Sequence, residues 1–198
     1  MVQFLKEDEF RDWVQKELEL RLAVTHYVVL KSKNVNDIVV CIQREDESIA
    51  LFVEVKYFTA SKGRLGLGDG DGKGFQPEIL TRRPTYFEKH VRWLIGSEQG
   101  RAVLVSSDQL RRHAVGGVFK EGKQNNIQPS VLGPENQPFP MEESPAEVAK
   151  WVESICAVPP NKTLVRQAKL GASCRVRVPA EQGLTIRSYR VLQLRLRR

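Results

Sequence analysis

Three charged residues within the segment 36–58 have types and a spacing that suit chemistry on a phosphate group. Asp37 opens one apolar stretch, and Glu54 and Lys56 lie inside the next one. Because side chains alternate between the two faces of a strand, Glu54 and Lys56 are predicted to point the same way. The polar turn at 44–48 folds the second stretch back on the first, which brings Asp37 towards Glu54.

A bound divalent metal ion would explain why carboxylates occur in such an apolar setting. Unpaired carboxylates are costly to bury, whereas Mg²⁺ binds through one or two carboxylates, waters and phosphate oxygens. Such an ion stabilises charge on a phosphoryl group and lowers the pKa of its bound water. Lys56 could orient the attacking water or help to deprotonate it, and its charge favours the pentavalent phosphate. The alternative is a hairpin in which Glu54 and Lys56 form an ion pair at the sheet edge.

The surrounding sequence predicts the elements that must position these residues. Apolar residues recur every three or four positions from Phe10 to Leu22, which predicts a helix over about 8–23 with Glu17 on or beside its apolar face. An antiparallel meander of three strands is predicted to follow, over 26–32, 37–43 and 50–58. The later predicted elements are a helix over 84–97, a strand over 101–107, a short helix that Asp108 caps and that runs to Val115, and a helix over 144–155 with a capping box formed by Ser144 and Glu147.

Asp37, followed after sixteen residues by Glu54-Val55-Lys56 at the end of an apolar strand, resembles the PD-(D/E)XK nuclease superfamily. The resemblance covers about residues 8–115 and implies an α/β fold with a restriction-endonuclease-like core of helix, three-strand meander, helix and strand. By this resemblance, Asp37 and Glu54 would bind Mg²⁺ with help from the carbonyl of Val55, and Lys56 would position the water. Glu17 would match the acid that many relatives carry on the first helix. The sequence departs from the pattern at Asn36, where relatives often have proline.

The resemblance implies a Mg²⁺-dependent endonuclease that hydrolyses phosphodiester bonds in DNA, in a restriction, repair or defence role. Water would be the nucleophile, and a homodimer is expected because many such enzymes cut both strands. Two alternatives stay open. One is a non-catalytic nucleic-acid-binding protein or complex subunit with a degenerate nuclease fold, and the other is an enzyme that acts on RNA or single strands.

Polar and basic residues after the meander could serve such a site. Gln76 and Glu78 follow a glycine-rich connection that matches neither a P-loop nor a calcium loop, and both are predicted to lie within reach of the metal. Basic side chains contact nucleic-acid phosphates. The predicted contacts are Arg82, Arg83, Lys89, Arg92, Arg111 and Arg112.

The charge distribution divides the chain into two predicted parts. Residues 162–198 hold ten of the 31 Lys and Arg residues but one of the 24 acidic residues. We therefore predict a nuclease-like domain over 1–157 and a basic, β-like extension over 158–198 that attracts a polyanion. The acidic N-terminal segment lacks the apolar core of a signal peptide, and no apolar stretch is long enough for a membrane span. Three widely spaced cysteines favour the reducing cytoplasm.

Overall fold

A computed structural model describes residues 4, 6–22, 27–31, 37–43, 48–59, 63–68, 75–83 and 85–156. Within these residues the chain forms five α-helices and eight β-strands, together with short 3-10 turns between Pro129 and Glu143. The helices are α1 (Glu7–Arg21), α2 (Phe75–Arg82), α3 (Thr85–His90), α4 (Ser107–Arg111) and α5 (Ser144–Cys156). The strands are β1 (Tyr27–Lys31), β2 (Ile38–Gln43), β3 (Ser48–Phe58), β4 (Leu65–Leu67), β5 (Val91–Ser97), β6 (Arg101–Val105), β7 (Asn125–Ile127) and β8 (Phe139–Pro140).

Six strands form one mixed sheet in the order β1-β2-β3-β5-β6-β8, and β4 pairs with β7 in a separate two-stranded sheet. The meander β1-β2-β3 is antiparallel, as the sequence predicts. Strand β5 lies parallel to β3, and the helices α2 and α3 make the crossover between them. The predicted α/β class is therefore confirmed, with α1 and the meander in the predicted order. After the meander the order differs from the prediction, because β4, α2 and β5 are elements that the sequence pattern does not predict.

Two hydrophobic cores lie on opposite faces of the main sheet because β3 alternates its side chains between them. Val53, Val55 and Tyr57 pack in the core that α1 and α5 cover. Phe52 and Phe58 belong to the other core, together with apolar residues of β4, β7 and the helices α2, α3 and α4. Glu54 and Lys56 share the face of Phe52 and Phe58, since they lie at alternate positions with them.

Strand β5 corrects the predicted helix over 84–97, which ends in the structure at His90 as the short helix α3. Every residue of β5 except Arg92 is buried. Apolar residues that follow one another in this way recur with the period of neither a helix nor a half-buried strand. The sequence pattern alone therefore does not decide between helix and strand for residues 91–97. Pairing decides it, because β3 and β6 hydrogen-bond to β5 on its two sides.

Two predicted helix caps also differ from the observed ones. Helix α4 is capped by Ser106, whose hydroxyl accepts from the backbone N–H of Gln109, and not by Asp108. Ser144 is the first residue of α5 and not its cap, and its hydroxyl donates to the carbonyl of Met141 at 2.7 Å. The helix itself is confirmed, with its apolar side against the sheet.

The predicted basic extension over 158–198 lies outside the described residues. Among the helices of the described part, none has both the length and the apolar character needed to cross a membrane.

Candidate active site

The candidate site lies where β3 continues past the first residue of β2. Ile38 pairs with Val53, so the register places Asp37 opposite Glu54, just before β2 begins. Beyond this point β3 keeps β5 as its neighbour as far as Phe58. Asp37 Oδ2 accepts a hydrogen bond from the backbone N–H of Val55 at 2.8 Å, which ties the start of β2 to β3. The hairpin thus brings Asp37 next to the Glu54-Val55-Lys56 segment.

Glu54 is almost fully buried, with 1% of its surface exposed, and its carboxylate is held in position. Gln76, in the first turn of α2, donates from Nε2 to Glu54 Oε2 at 2.6 Å. The Oε1 atom of Gln76 accepts from the backbone N–H of Gly68 at 2.9 Å, so this bond fixes the orientation of the amide. Gln76 therefore contacts Glu54 as expected, whereas no hydrogen bond or ion pair among the described residues joins Glu78 to the site.

Lys56 is also buried, at 8% exposed, and its ammonium group pairs with an acid of α1. Lys56 Nζ lies 3.0 Å from Oε1 of Glu7. Burial lowers the pKa of Lys56, but the negative charges of Glu7, Glu54 and Asp37 outweigh it and raise the pKa above its ordinary value. Lys56 is therefore a protonated, positively charged donor at neutral pH.

An arginine of α1 completes the electrostatic surroundings of Asp37. Arg11 Nη1 lies 3.6 Å from Asp37 Oδ1, and Arg11 also pairs with Asp8 at 2.7 Å and with Asp12 at 3.0 Å. Partial burial lowers the pKa of Arg11, but these acids more than compensate and raise it. The first two turns of α1 therefore place the positive charge of Arg11 beside Asp37 and the negative charge of Glu7 beside Lys56.

The structure brings Asp37, Glu54 and Lys56 together, but the acid of α1 that joins them is Glu7 and not the predicted Glu17. Ten residues separate the two acids, which corresponds to about 15 Å along a helix axis. The sequence did contain a signal for Glu7. It lies one helical turn before Phe10 and so extends the buried stripe of Phe10, Val14 and Leu18.

The donor atoms suit a hard divalent cation held by two carboxylates. Among the described residues, no group of three or more His, Cys, Asp or Glu side chains is arranged to hold a metal ion. Asp37 and Glu54 nevertheless provide the one or two carboxylates that Mg²⁺ uses in proteins, with water and substrate oxygens as its other ligands. The residue types present therefore fit Mg²⁺, and Asp37 and Glu54 are the residues that would hold it. Val55 contacts Asp37 through its N–H, while the role of its carbonyl stays a prediction.

Arg111, a predicted nucleic-acid contact, is instead part of the internal packing. Its side chain pairs with both carboxylate oxygens of Glu88 and donates to the carbonyls of Ile79 and Leu80 at 3.1 and 2.9 Å. These bonds occupy four of its five N–H donors. Arg111 thus anchors the last turn of α2 to α3, and this role disfavours a phosphate contact.

Arg92 lies on the face of the sheet opposite to Glu54 and Lys56. In the register of β3 and β5, Arg92 is the partner of Val53, whereas Glu54 is the partner of Trp93. The guanidinium of Arg92 stacks over the ring of Trp151 in α5, 5.1 Å from its centroid. A phosphate held at Glu54 and Lys56 therefore could not also be contacted by Arg92.

The other predicted nucleic-acid contacts lie at the surface. Arg83 and Lys89 are exposed. Arg82 is exposed but pairs with Glu121 at 2.5 Å, and Arg112 is exposed and pairs with Asp108 at 3.4 Å. These four remain accessible to a polyanion, because exposed ion pairs of this kind exchange at little cost.

Comparisons of the chain with protein-family models, with curated proteins and with solved structures give no match. The function therefore has to be argued from the geometry of the site.

Proposed function

We propose that the chain is a Mg²⁺-dependent nuclease with a restriction-endonuclease-like core, which hydrolyses phosphodiester bonds in DNA. The observation that carries the proposal is the placement of Asp37, Glu54 and Lys56. Two carboxylates and a buried ammonium group meet at the point where β3 extends beyond β2. Burying such charges is costly, and a site that binds a cation and an anionic phosphate explains the cost.

The fold supports the same proposal. A helix, an antiparallel meander and a helical crossover lead to a strand that lies parallel to β3, the order implied by the resemblance to PD-(D/E)XK nucleases. The residues that would bind the metal come from β3 and from the start of β2. These are the positions that the resemblance assigns to them.

Asp37 and Glu54 would hold the metal ion. Bound there, Mg²⁺ would neutralise charge on the scissile phosphate and lower the pKa of a coordinated water. The protein contributes the fixed position of each ligand. Val55 holds Asp37 through its backbone N–H, and Gln76 holds Glu54 through its amide.

Lys56 would act as a charged donor, because its ammonium group pairs with Glu7 at 3.0 Å and lies close enough to Glu54 and Asp37 to interact with their charges. A protonated ammonium group can donate to the attacking water or to a phosphate oxygen and stabilises the charge that develops there. Glu7 accepts from Lys56 and so sets the direction of the ammonium group. Of the two roles predicted for Lys56, orienting the water therefore has the stronger support.

A non-catalytic binding protein or complex subunit is the second candidate, and a specific observation favours it. Lys56 already pairs with Glu7, and Glu54 already accepts from Gln76. The same bonds would be expected if the site had lost its nuclease activity and its charged residues now only stabilised the fold. The DNA substrate, a homodimer and a cytoplasmic location stay predictions under both candidates.

Cleavage of a supercoiled plasmid by the purified chain, with Mg²⁺ and with EDTA, tests the proposal. We expect nicked or linear product that requires Mg²⁺. Glu54→Gln should reduce the rate by a factor of about 10² or more, because the side chain keeps its shape and its bond to Gln76 but loses its charge. Glu153→Gln, on the exposed side of α5, is the matched control and should cleave like the parent chain.

Two results separate the candidates. Mg²⁺ should raise the melting temperature of the parent chain, because a ligand that binds the folded state stabilises it, and it should not do so for Glu54→Gln. DNA binding that needs no Mg²⁺, without cleavage and unchanged in Glu54→Gln, would overturn the nuclease proposal and favour the binding protein.

A further inference from the structure

A second candidate site lies on the reverse face of the sheet, where a pocket of about 350 Å³ opens between the sheet and α5. Its volume falls within the range of roughly 300–1,000 Å³ that small-molecule sites occupy. The sheet, the segment before β8, β8 itself and one face of α5 line it. The lining residues are Arg92, Leu104, Asn136, Gln137, Phe139, Glu147, Lys150, Trp151 and Ser154.

Arg92 gives this pocket a positive charge, and within the described residues it has no ion pair. Its guanidinium donates to the carbonyl of Val91 at 2.9 Å and stacks on Trp151. Glu88, whose charge acts on Arg92, is bound to Arg111, and Glu147, which lines the pocket, is paired with Lys150. Burial lowers the pKa of Arg92 and the charge of Glu88 partly restores it, as expected for a half-buried cation without a direct partner.

Two residues of α5 line the same pocket. Lys150 is exposed and pairs with Glu147 at 2.5 Å, an exposed ion pair of the kind that opens at little cost, so its charge can turn towards a ligand. The ring of Trp151 lies against the guanidinium of Arg92 and holds it at the pocket wall.

We propose that this pocket binds a small phosphate-bearing molecule of about the size of a mononucleotide. A guanidinium group recognises phosphate through paired, charge-assisted hydrogen bonds, and Lys150 adds a second positive charge. Leu104 and Phe139 provide apolar walls for the rest of the molecule. This site does not depend on the nuclease proposal, because it lies on the opposite face of the sheet from Glu54 and Lys56.

Calorimetric titration of the purified chain tests the pocket with three probes: inorganic phosphate, adenosine monophosphate and adenosine. We expect the monophosphate to bind most tightly, inorganic phosphate more weakly, and adenosine at least tenfold more weakly than its monophosphate. Arg92→Gln should weaken monophosphate binding by about tenfold or more, since hydrogen bonds to charged groups are worth at least that factor. Arg64→Gln, which removes an exposed arginine just before β4, on the other face of the sheet from the pocket, is the matched control and should bind like the parent chain.

Two variants on the surface of α5 keep the proposal testable if Arg92→Gln does not fold. Lys150→Gln should weaken binding of the monophosphate, and Glu147→Gln should strengthen it, because it releases Lys150 and removes a negative charge. Equal affinity in all variants that fold would overturn the proposal, and so would a lack of saturable binding at millimolar phosphate or monophosphate. Equal binding of adenosine and its monophosphate would show a pocket for the base and would also overturn it.

Discussion

Replacing Lys56 by methionine should destabilise the fold, because the change removes the charge that balances three carboxylates. Methionine keeps the length and the apolar stem of the side chain, so packing is largely preserved. The charge is then missing beside Glu54, which is buried, and beside Glu7 and Asp37. Breaking a buried pair by removing one partner leaves an uncompensated charge in the interior.

The magnitude follows from the geometry of the pair. At 3.0 Å, two unit charges attract by about 5–6 kcal/mol in a medium with an effective dielectric constant of about 20. Desolvation of Lys56 offsets much of this energy, and Glu7 is about one-third exposed, so solvent screens the pair further. We therefore expect a net loss of about 2–3 kcal/mol, below the full cost of a buried pair. For a domain of this size, that loss corresponds to a fall in melting temperature of about 4–12 °C.

A double-mutant cycle measured by urea denaturation at pH 7.5 isolates the pair. The four proteins are the parent chain, Glu7→Gln, Lys56→Met and the double variant. The coupling free energy should be about 1 kcal/mol or more, because the two side chains are in direct contact. Lys150→Met, in an exposed pair on α5, is the control and should leave the stability unchanged. A coupling free energy of zero, or a Lys56→Met variant as stable as the parent, would refute the assigned pair.

Two other changes test the packing and the ionisation of the core. In Gly96→Ala, the new Cβ would lie 2.8 Å from Cε1 of Phe10 and 3.2 Å from Cδ2 of Tyr57, so we expect a loss of about 1–3 kcal/mol by urea denaturation; an unchanged stability would contradict the close approach of α1 to β5. Burial raises the pKa of Tyr57, and the hydrogen bond that its hydroxyl donates to the carbonyl of Phe4 also favours the neutral form. Its contribution to stability is therefore complete below pH 10.0, the ordinary pKa of tyrosine, and is lost as the pH rises through the higher pKa of the folded state. Stability measured at pH 9 and pH 11 should accordingly fall less in Tyr57→Phe than in the parent chain, and equal falls would count against the assignment.

The three central residues of the candidate site could be predicted because their positions depend on local rules. Alternation along a strand places Glu54 and Lys56 on one face, and the hairpin turn sets the register that brings Asp37 alongside. Gln76 was predicted from the resemblance, in which polar residues near this point can reach the metal, whereas the helix that carries it, α2, was not predicted.

Glu7 was not predicted, because the helix pattern alone does not say which turn of α1 lies over the end of β3. Glu7 and Lys56 are 49 residues apart in sequence, and their contact depends on the docking of α1 against the sheet. Glu17, the predicted acid, is on the same helix and also lies beside the apolar stripe. The helix pattern therefore did not distinguish Glu17, near the end of α1, from Glu7, at its start.

The sequence by itself determined the α/β class, the antiparallel meander and the meeting of Asp37, Glu54 and Lys56, since each follows from side-chain periodicity over a short stretch. The tertiary structure decided that residues 91–97 form a strand, because backbone pairing with β3 and β6 outweighs any pattern within that apolar run. It also decided the roles of the arginines. Arg111 is inside because Glu88 and the end of α2 occupy its donors. Arg92 lines the pocket beside α5 because it is the partner of Val53 on β3, one position before Glu54, and so lies on the opposite face of the sheet. Charge and residue type are the same for a buried and an exposed arginine, so the packing of distant segments alone distinguishes them.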